Sequence, residues 1–298
     1  MIGLETIQKA IDYMEAHLED GIRYEDVAAY VNMSPYEFHR TFSFIAGITV
    51  NSYIRNRRLS LAGQELLNSD VKVIDLAMKY GFDSADGFAK AFSRFHGVSP
   101  KYARGNGAQL ALYNPLSIQV SLVGGKKIDY RIEKLPSRKF LAVAKTFPVE
   151  IINEEGNEDI AVFWEESRRS KLIEKLQLMR NAEDSRLFGL CEPLAEHQTF
   201  FDYGIGIFLE ENVREEELFA KMDESLKEHI RLWTVEESTY VVFPCIGSDG
   251  DCISKTWEFF YKEFLPQSSY VSSEKTDFEI YFENGSKNLF CELWIPVD

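Results

Sequence analysis

Residues 71–104 read VKVIDLAMKYGFDSADGFAKAFSRFHGVSPKYAR, and the organisation of the chain follows outward from them. Val73, Ile74, Leu76 and Ala77 fall at helical intervals up to Tyr80-Gly81, where glycine permits the positive-φ corner that joins two helices. Ser84 is placed to cap a second helix by accepting from the free amides of its first turn. Asp83 and Asp86 set negative charge at the positive end of its dipole. Phe88, Ala91, Phe92 and Phe95 then form an apolar stripe, leaving Ala85, Asp86, Ala89, Lys90 and Ser93 outward. The pattern predicts a helix-turn-helix whose second helix faces solvent.

The same pattern occurs about 50 residues upstream. Val27, Ala28 and Val31 make a first helix, and Ser34-Pro35-Tyr36-Glu37 supplies a cap, a proline whose missing amide costs nothing, and a capping-box glutamate. Phe38, Phe42 and Ile45 are expected inside, with Tyr36, His39 and Arg40 pointing out. Ahead of this copy, Ile7, Ala10, Ile11, Met14 and Leu18 form one helical stripe. Between the copies, residues 49–67 predict a helix about 28 Å long, close to the roughly 34 Å between successive major-groove faces of a duplex. Its Arg55, Arg57 and Arg58 are expected near phosphates. A duplication of this kind indicates architecture more strongly than either copy alone.

Composition narrows the class. The chain has 298 residues, 45% hydrophobic and 27% charged, which suits two globular domains. Residues 1–107 hold 12 Lys and Arg against 13 Asp and Glu, and the remainder 21 against 35. An acidic second half repels a phosphate backbone, so nucleic acid is expected to meet the first half. No apolar run reaches the roughly 20 residues of a membrane span. The first residues, MIGLETIQKA, lack the marks of a secretion signal. Cys191, Cys245, Cys252 and Cys291 show no metal-type spacing, which predicts reduced, packed thiols and a cytoplasmic location.

The run GFDSADGFAKAF with FHGVSPKYAR, its upstream copy and the connector pattern Tyr53…Arg58-Leu59…Ala62 resemble the AraC-type transcription regulators over about residues 5–104. The resemblance implies binding of double-stranded DNA, base-reading positions at Tyr36, His39 and Arg40 in the first copy and at Ala85, Asp86 and Lys90 in the second, and contact with RNA polymerase. Arg94 completes the expected DNA-binding set.

After Arg104, Gly105-Asn106-Gly107 breaks the last helix, and residues 108–127 read as a linker with room for one short strand. Residues 128–147 alternate as a strand broken at Leu135-Pro136. A helix follows over 160–179, then strands over 186–192 and 201–209. The order recurs as strand 232–246, helix 253–264 and strands 277–283 and 289–297. Ile160 with Trp164 and Ile253 with Trp257 lie four apart in the two helices. The expected fold class is therefore multidomain: an all-α double helix-turn-helix domain (1–107), a linker, and an α+β domain (128–298). The second domain carries a duplicated β-α-β-β unit, an antiparallel sheet and helices on one face.

The doubled unit and the closing motif FEIYFENGSKNLFCELWIPV resemble the gyrase-inhibitory-protein-like effector-binding domain of multidrug-sensing regulators. Strand periodicity puts Leu289, Cys291, Leu293, Ile295 and Val297 toward the helices and Glu292 with Trp294 opposite. In the neighbouring strand Phe278, Ile280 and Phe282 are expected to go with the helices, leaving Glu279, Tyr281 and Glu283 beside Glu292. Gly204 and Gly206 are expected to leave that face vacant. Carboxylates, rings and empty space suit a small cationic or aromatic effector, and the resemblance places the ligand-contacting glutamate at Glu292.

The expected function is thus a ligand-responsive, sequence-specific transcription regulator. The alternatives are a second domain that hydrolyses small molecules, as some relatives of the effector fold do, or one that sequesters a protein. The residues offer no clear nucleophile–base pair, metal cluster or phosphate loop, so neither catalysis nor a cofactor is expected.

Overall fold

The computed structural model describes residues 4–104, 109–118, 129–152, 158–179, 184–193, 199–210, 215–220, 222, 224–282 and 288–298. The chain divides into two compact units, one holding the helices of residues 2–42 and 48–122 and the other centred on the sheet after residue 123. Glu283 and the residues on both sides of the 107/108 and 127/128 boundaries lie outside the described residues.

The first unit is all helix: α1 Leu4–Ala16, α2 Tyr24–Tyr30, α3 Pro35–Ala46, α4 Val50–Asn68, α5 Val73–Lys79, α6 Ala85–His96 and α7 Pro100–Ala103. The caps explain the boundaries. Ser84 Oγ accepts from Gly87 N at 3.1 Å and Thr49 Oγ1 from Ser52 N at 3.2 Å, so α6 and α4 each start where a side chain replaces the missing partner of a first-turn amide. Gly81 at φ 73° and Gly97 at φ 75° turn the chain out of α5 and α6 through conformations that a side chain would strain. Leu59, Ala62 and Leu66 of α4 join Leu76, Ala77, Phe88 and Phe92 in one buried cluster, so the connector is part of the second helix-turn-helix core. Residues 109–118 are not a free linker but run along the helices. Tyr113 N donates to Ser60 Oγ at 3.0 Å, Leu116 N to Tyr53 Oη at 3.2 Å, and Ile118 N to Gln8 Oε1 at 3.4 Å. None of them is a strand.

The second unit is an eight-stranded antiparallel sheet with helices: β1 Arg131–Leu135, β2 Arg138–Pro148, α8 Glu158–Arg169, α9 Leu172–Gln177, β3 Leu187–Pro193, β4 Phe200–Leu209, α10 Glu215–Ala220, α11 Glu224–Lys227, β5 Ile230–Val235, β6 Ser238–Ile246, α12 Asp251–Phe259, β7 Asp277–Tyr281 and β8 Leu289–Val297. Strand order is β1-β6-β8-β7-β3-β4-β2-β5. The duplicated unit is present, but its first strands are exchanged: β1 pairs with β6 of the second repeat and β5 with β2 of the first.

That exchange bends the sheet. β1 and β2 stand six places apart in the order, roughly 29 Å on a flat sheet, yet only Pro136 and Ser137 join them, a link that spans about 11 Å at most. The same holds for β5 and β6. The two edges must therefore curl toward each other. Consistently, Phe140 of β2 and Phe278 of β7, three strands apart, have ring centroids only 6.4 Å apart. The inner face carries Phe140, Phe188, Leu190, Trp233, Tyr240, Val242, Phe278 and Trp294 as one buried cluster. The helices lie on the outer face, where Cys245 of β6 meets Thr256 of α12 and Trp164 of α8 meets Tyr203 of β4.

Candidate functional site

In the helical unit, α6 carries an exposed polar face. On α6, Asp86, Lys90 and Arg94 are exposed at spacings of four, with Ala85 and Ala89 partly exposed beside them and Phe88 and Phe92 buried beneath. Among the described residues Lys90 and Arg94 make no ion pair or hydrogen bond, so both charges are available. Helix α3 differs from expectation. Tyr36, His39 and Arg40 are 4%, 0% and 7% exposed rather than outward. Arg40 Nη1 donates to Tyr36 Oη at 2.7 Å, and its guanidinium lies 5.5 Å over the Tyr36 ring. The His39 ring meets Tyr24 of α2 edge-on at 5.4 Å, and burial pushes its pKa down to about 4, so it is neutral at pH 7. Tyr36 and Arg40 pair with each other, whereas both His39 ring nitrogens, Thr41 Oγ1 and Ser43 Oγ on the same helix are buried without a hydrogen-bond partner among the described residues.

The connector arginines divide in the same way. Arg55 is exposed. Arg57, 6% exposed, grips Glu15 of α1 through Nε and Nη2, both at 2.8 Å, and donates to the Tyr113 carbonyl. Arg58 Nε donates to the Leu18 carbonyl at 2.7 Å and Nη2 to that of Ile22 at 3.3 Å, tying down the chain that leaves α1. These two arginines hold the fold and do not wait for phosphate. A sequence of three arginines on a helix cannot show this, because Glu15 and the two carbonyls come from distant positions.

In the sheet unit, cross-strand register decides which side chains meet. Phe278 lies opposite Trp294 and Ile280 opposite Glu292, whereas Glu279 lies opposite Leu293. Phe278 and Ile280 therefore share the inner face with Glu292 and Trp294, and Glu279 and Tyr281 go to the helices, the reverse of the expected assignment for this strand. Gly204 and Gly206 are also on the inner face, but they leave no vacancy. The Trp233 ring occupies the room at Gly204, where a Cβ would stand 2.9 Å from it, and Leu190 occupies that at Gly206. Glu292 already has its cation. Arg131 Nη1 and Nη2 donate to its two oxygens at 2.7 Å each, and the same guanidinium lies 5.4 Å from the Trp294 ring. The chain itself fills the place expected for a cationic effector.

On the outer face, a buried polar chain gathers residues from three strands and a helix. Trp164 Nε1 of α8 donates to Tyr203 Oη of β4 at 3.0 Å, and Tyr203 Oη donates to Glu279 Oε2 of β7 at 3.0 Å. Tyr281 meets Trp164 in a T-shaped contact at 5.0 Å. Glu279 is 8% exposed and Tyr203 3%. Burial, reinforced by the Glu279 charge, raises both phenols well above the usual tyrosine range, so they remain protonated donors. Gly189 of β3 completes the cradle: a Cβ there would lie 2.0 Å from Glu279 Oε2 and 2.3 Å from Tyr203 Oη. Sequence reading missed Tyr203 and Gly189 as site residues. The signals were a phenol inside the apolar strand FFDYGIGIF and a glycine inside LFGLC, each at odds with its run.

Two families match this chain: a GyrI-like small molecule binding domain over residues 128–298 and a helix-turn-helix domain over residues 27–106. The first part is 38% identical over 96 residues to the HTH-type transcriptional regulator YbfP of Bacillus subtilis, a match that spans 32% of each chain. It is 35% identical over 98 residues to the HTH-type transcriptional activator AarP of Providencia stuartii, covering 33% of this chain and 73% of that one. Among solved structures, SAV2435 bound to tetraphenylphosphonium is similar over 57% of this chain and 94% of that one, with 21% identity and a TM-score of 0.46. Among the described residues no helix is long and apolar enough to cross a membrane. A curled, duplicated sheet with a buried acid, following paired helix-turn-helix motifs, is thus the architecture of a chain that belongs to the GyrI-like small-molecule-binding family and carries an AraC-type DNA-binding region ahead of that domain.

Proposed function

We propose that the chain is a ligand-responsive transcription regulator of the cytoplasm, in which α6 meets double-stranded DNA and the sheet domain senses a small lipophilic or aromatic cation. The observation that carries the sensing half is Glu279, a carboxylate desolvated among Trp164, Tyr203 and Tyr281. An ionised acid in such surroundings gains from an arriving cation that tolerates the same dry site, and the rings offer their π faces to it. We assign the effector site to Glu279 with Tyr281, Tyr203 and Trp164, in place of Glu292 and Trp294. The protonated phenols act as donors, and the cluster serves binding rather than turnover. On the DNA side, Lys90 and Arg94 supply phosphate contacts and Arg55 lies outside the fold's ion pairs. The bound regulator acts through RNA polymerase.

Titration of a lipophilic phosphonium by tryptophan quenching tests the sensing half. Removing one partner of a buried charge pair costs about 2–5 kcal/mol, so Glu279→Gln is expected to weaken the cation by roughly thirty-fold or more and a neutral analogue far less. Equal affinities for wild type and Glu279→Gln would place the site elsewhere.

A further inference from the structure

We propose that the inner face of the curled sheet holds a second ligand site, selective for a small aromatic carboxylate, with Arg138 as its anion-binding group. This site goes beyond the cation site on the outer face and does not depend on it.

A cavity of about 130 Å³ opens between the rings of Phe140, Phe188, Phe208, Phe278 and Trp294. It is similar in size to an engineered apolar cavity of about 150 Å³ that takes up benzene, so one six-membered ring fits. Phe278 and Trp294 lie nearly parallel, 20° apart with centroids at 5.3 Å, and Phe140 meets Phe188 edge-on at 4.9 Å. Planar walls of this kind favour a planar guest.

Two arginines line the cavity as well, and their states differ. Arg186 is held by Asp184 through two hydrogen bonds of 2.8 Å. The other arginines on this face are likewise paired: Arg131 with Glu292 and Glu133, Arg231 with Asp202 and Glu192. Arg138 is the exception. Its guanidinium lies 4.9 Å from the Phe208 ring, its Nε is buried without a hydrogen-bond partner, and no carboxylate pairs with it among the described residues. A buried guanidinium nitrogen without an acceptor is costly unless a ligand supplies one, and a planar fork matches a carboxylate. Of the two guanidinium groups that line the cavity, Arg186 is neutralised by Asp184, and Arg138 has no acid among the described residues. A ring in the cavity and a carboxylate on Arg138 satisfy both features together.

The test uses the full chain and benzoate, benzyl alcohol and benzylamine as probes, followed by calorimetry and tryptophan fluorescence. Benzoate is expected to bind about tenfold or more tightly than benzyl alcohol, the scale of one charge-assisted hydrogen bond, and benzylamine more weakly still. Arg138→Gln is expected to bring benzoate to the level of the alcohol without changing the alcohol, Arg138→Lys to restore part of the difference, and Glu279→Gln to leave benzoate unchanged. Benzoate binding no tighter than the alcohol or the amine overturns the proposal from wild-type data alone, even if a variant fails to fold. Benzoate affinity that is equal in wild type and Arg138→Gln, or that falls with Glu279→Gln, overturns the assignment to Arg138.

Discussion

Substituting alanine for Gly189 tests the outer-face cluster directly, because the methyl group has nowhere to go. Gly189 lies on β3 between Ile205 of β4 and Glu279 of β7. Its Cβ would stand 2.0 Å from Glu279 Oε2 and 2.3 Å from Tyr203 Oη, well inside the 3.0 Å that real Cβ contacts respect. Both polar atoms must withdraw by about 1 Å, yet Tyr203 is held from the other side by the Trp164 indole. Overpacking of a dense core costs about 1–3 kcal/mol, and a buried polar group pulled off its partner costs about 1–3 kcal/mol. The smaller backbone entropy of alanine in the unfolded chain returns about 0.4–1 kcal/mol. The net expectation is a loss of about 2–4 kcal/mol from the sheet domain. Gly206→Ala is the control, since its nearest neighbours lie at 3.2–3.3 Å and need yield only slightly, for an expected loss below about 1 kcal/mol. Guanidinium unfolding followed by tryptophan fluorescence gives the midpoints, compared at matched slope. In a Glu279→Ala background the closest clash is gone, and the Gly189→Ala penalty should fall by about half. A Gly189→Ala protein with the wild-type midpoint, or an equal penalty in both backgrounds, refutes the close-packed cluster.

The arginines of the helical unit should separate by role. Lys90→Ala and Arg94→Ala are expected to weaken binding to all duplexes and flatten its salt dependence by about one phosphate contact each, measured by fluorescence anisotropy from low to moderate salt. Arg57→Ala should instead lower stability by about 2–3 kcal/mol, less than for a fully buried pair because Glu15 is partly exposed, with chemical denaturation as the check. His39 gives a pH signature. Its folded pKa of about 4 lies below the unfolded value near 6.5, so the unfolded chain binds more protons between those limits, and stability present above pH 6.5 is lost as pH falls toward 4. The full effect is about 3 kcal/mol, and His39→Gln should flatten the decline of the melting temperature over that window. Glu292→Gln should leave lipophilic-cation affinity within about twofold of wild type in the same titration in which Glu279→Gln weakens it roughly thirty-fold or more, since Arg131 already occupies Glu292.

The helical unit was legible because its signals are local. Ser84 caps α6 three residues ahead of its partner amide, Gly81 and Gly97 take the positive φ that ends α5 and α6, and the apolar spacing of Phe88 and Phe92 marks the buried side. What local reading could not supply was the partner of each polar side chain. Arg57 and Glu15, like Arg58 and Leu18, are separated by about 40 residues, and no periodicity announces a pair of that kind. The outward reading of Tyr36 and Arg40 failed for a related reason. The two lie four apart on α3 and pair with each other, so a polar residue off the apolar stripe was mistaken for a solvated one.

The sheet shows why strand parity alone misplaced the acid. Alternation separates two sets of side chains but does not say which set meets the helices, and the usual rule sends the apolar set there because the other face is wet. Here the edges curl together, so both faces are dry and both sets have a core to join. Phe278 and Ile280 then fill the inner cluster, and Glu279 is left under α8. The exchange of β1 and β5 causes this closure, and its mark in the sequence is slight: two hairpin-like links, Pro136-Ser137 and Glu236-Glu237, whose flanking strands never pair with each other. A two-residue link between strands usually signals a hairpin. In this chain it signals a sheet whose ends must meet, and that closure puts the buried Glu279 carboxylate outside the curl and the Arg138 guanidinium, unpaired among the described residues, inside it.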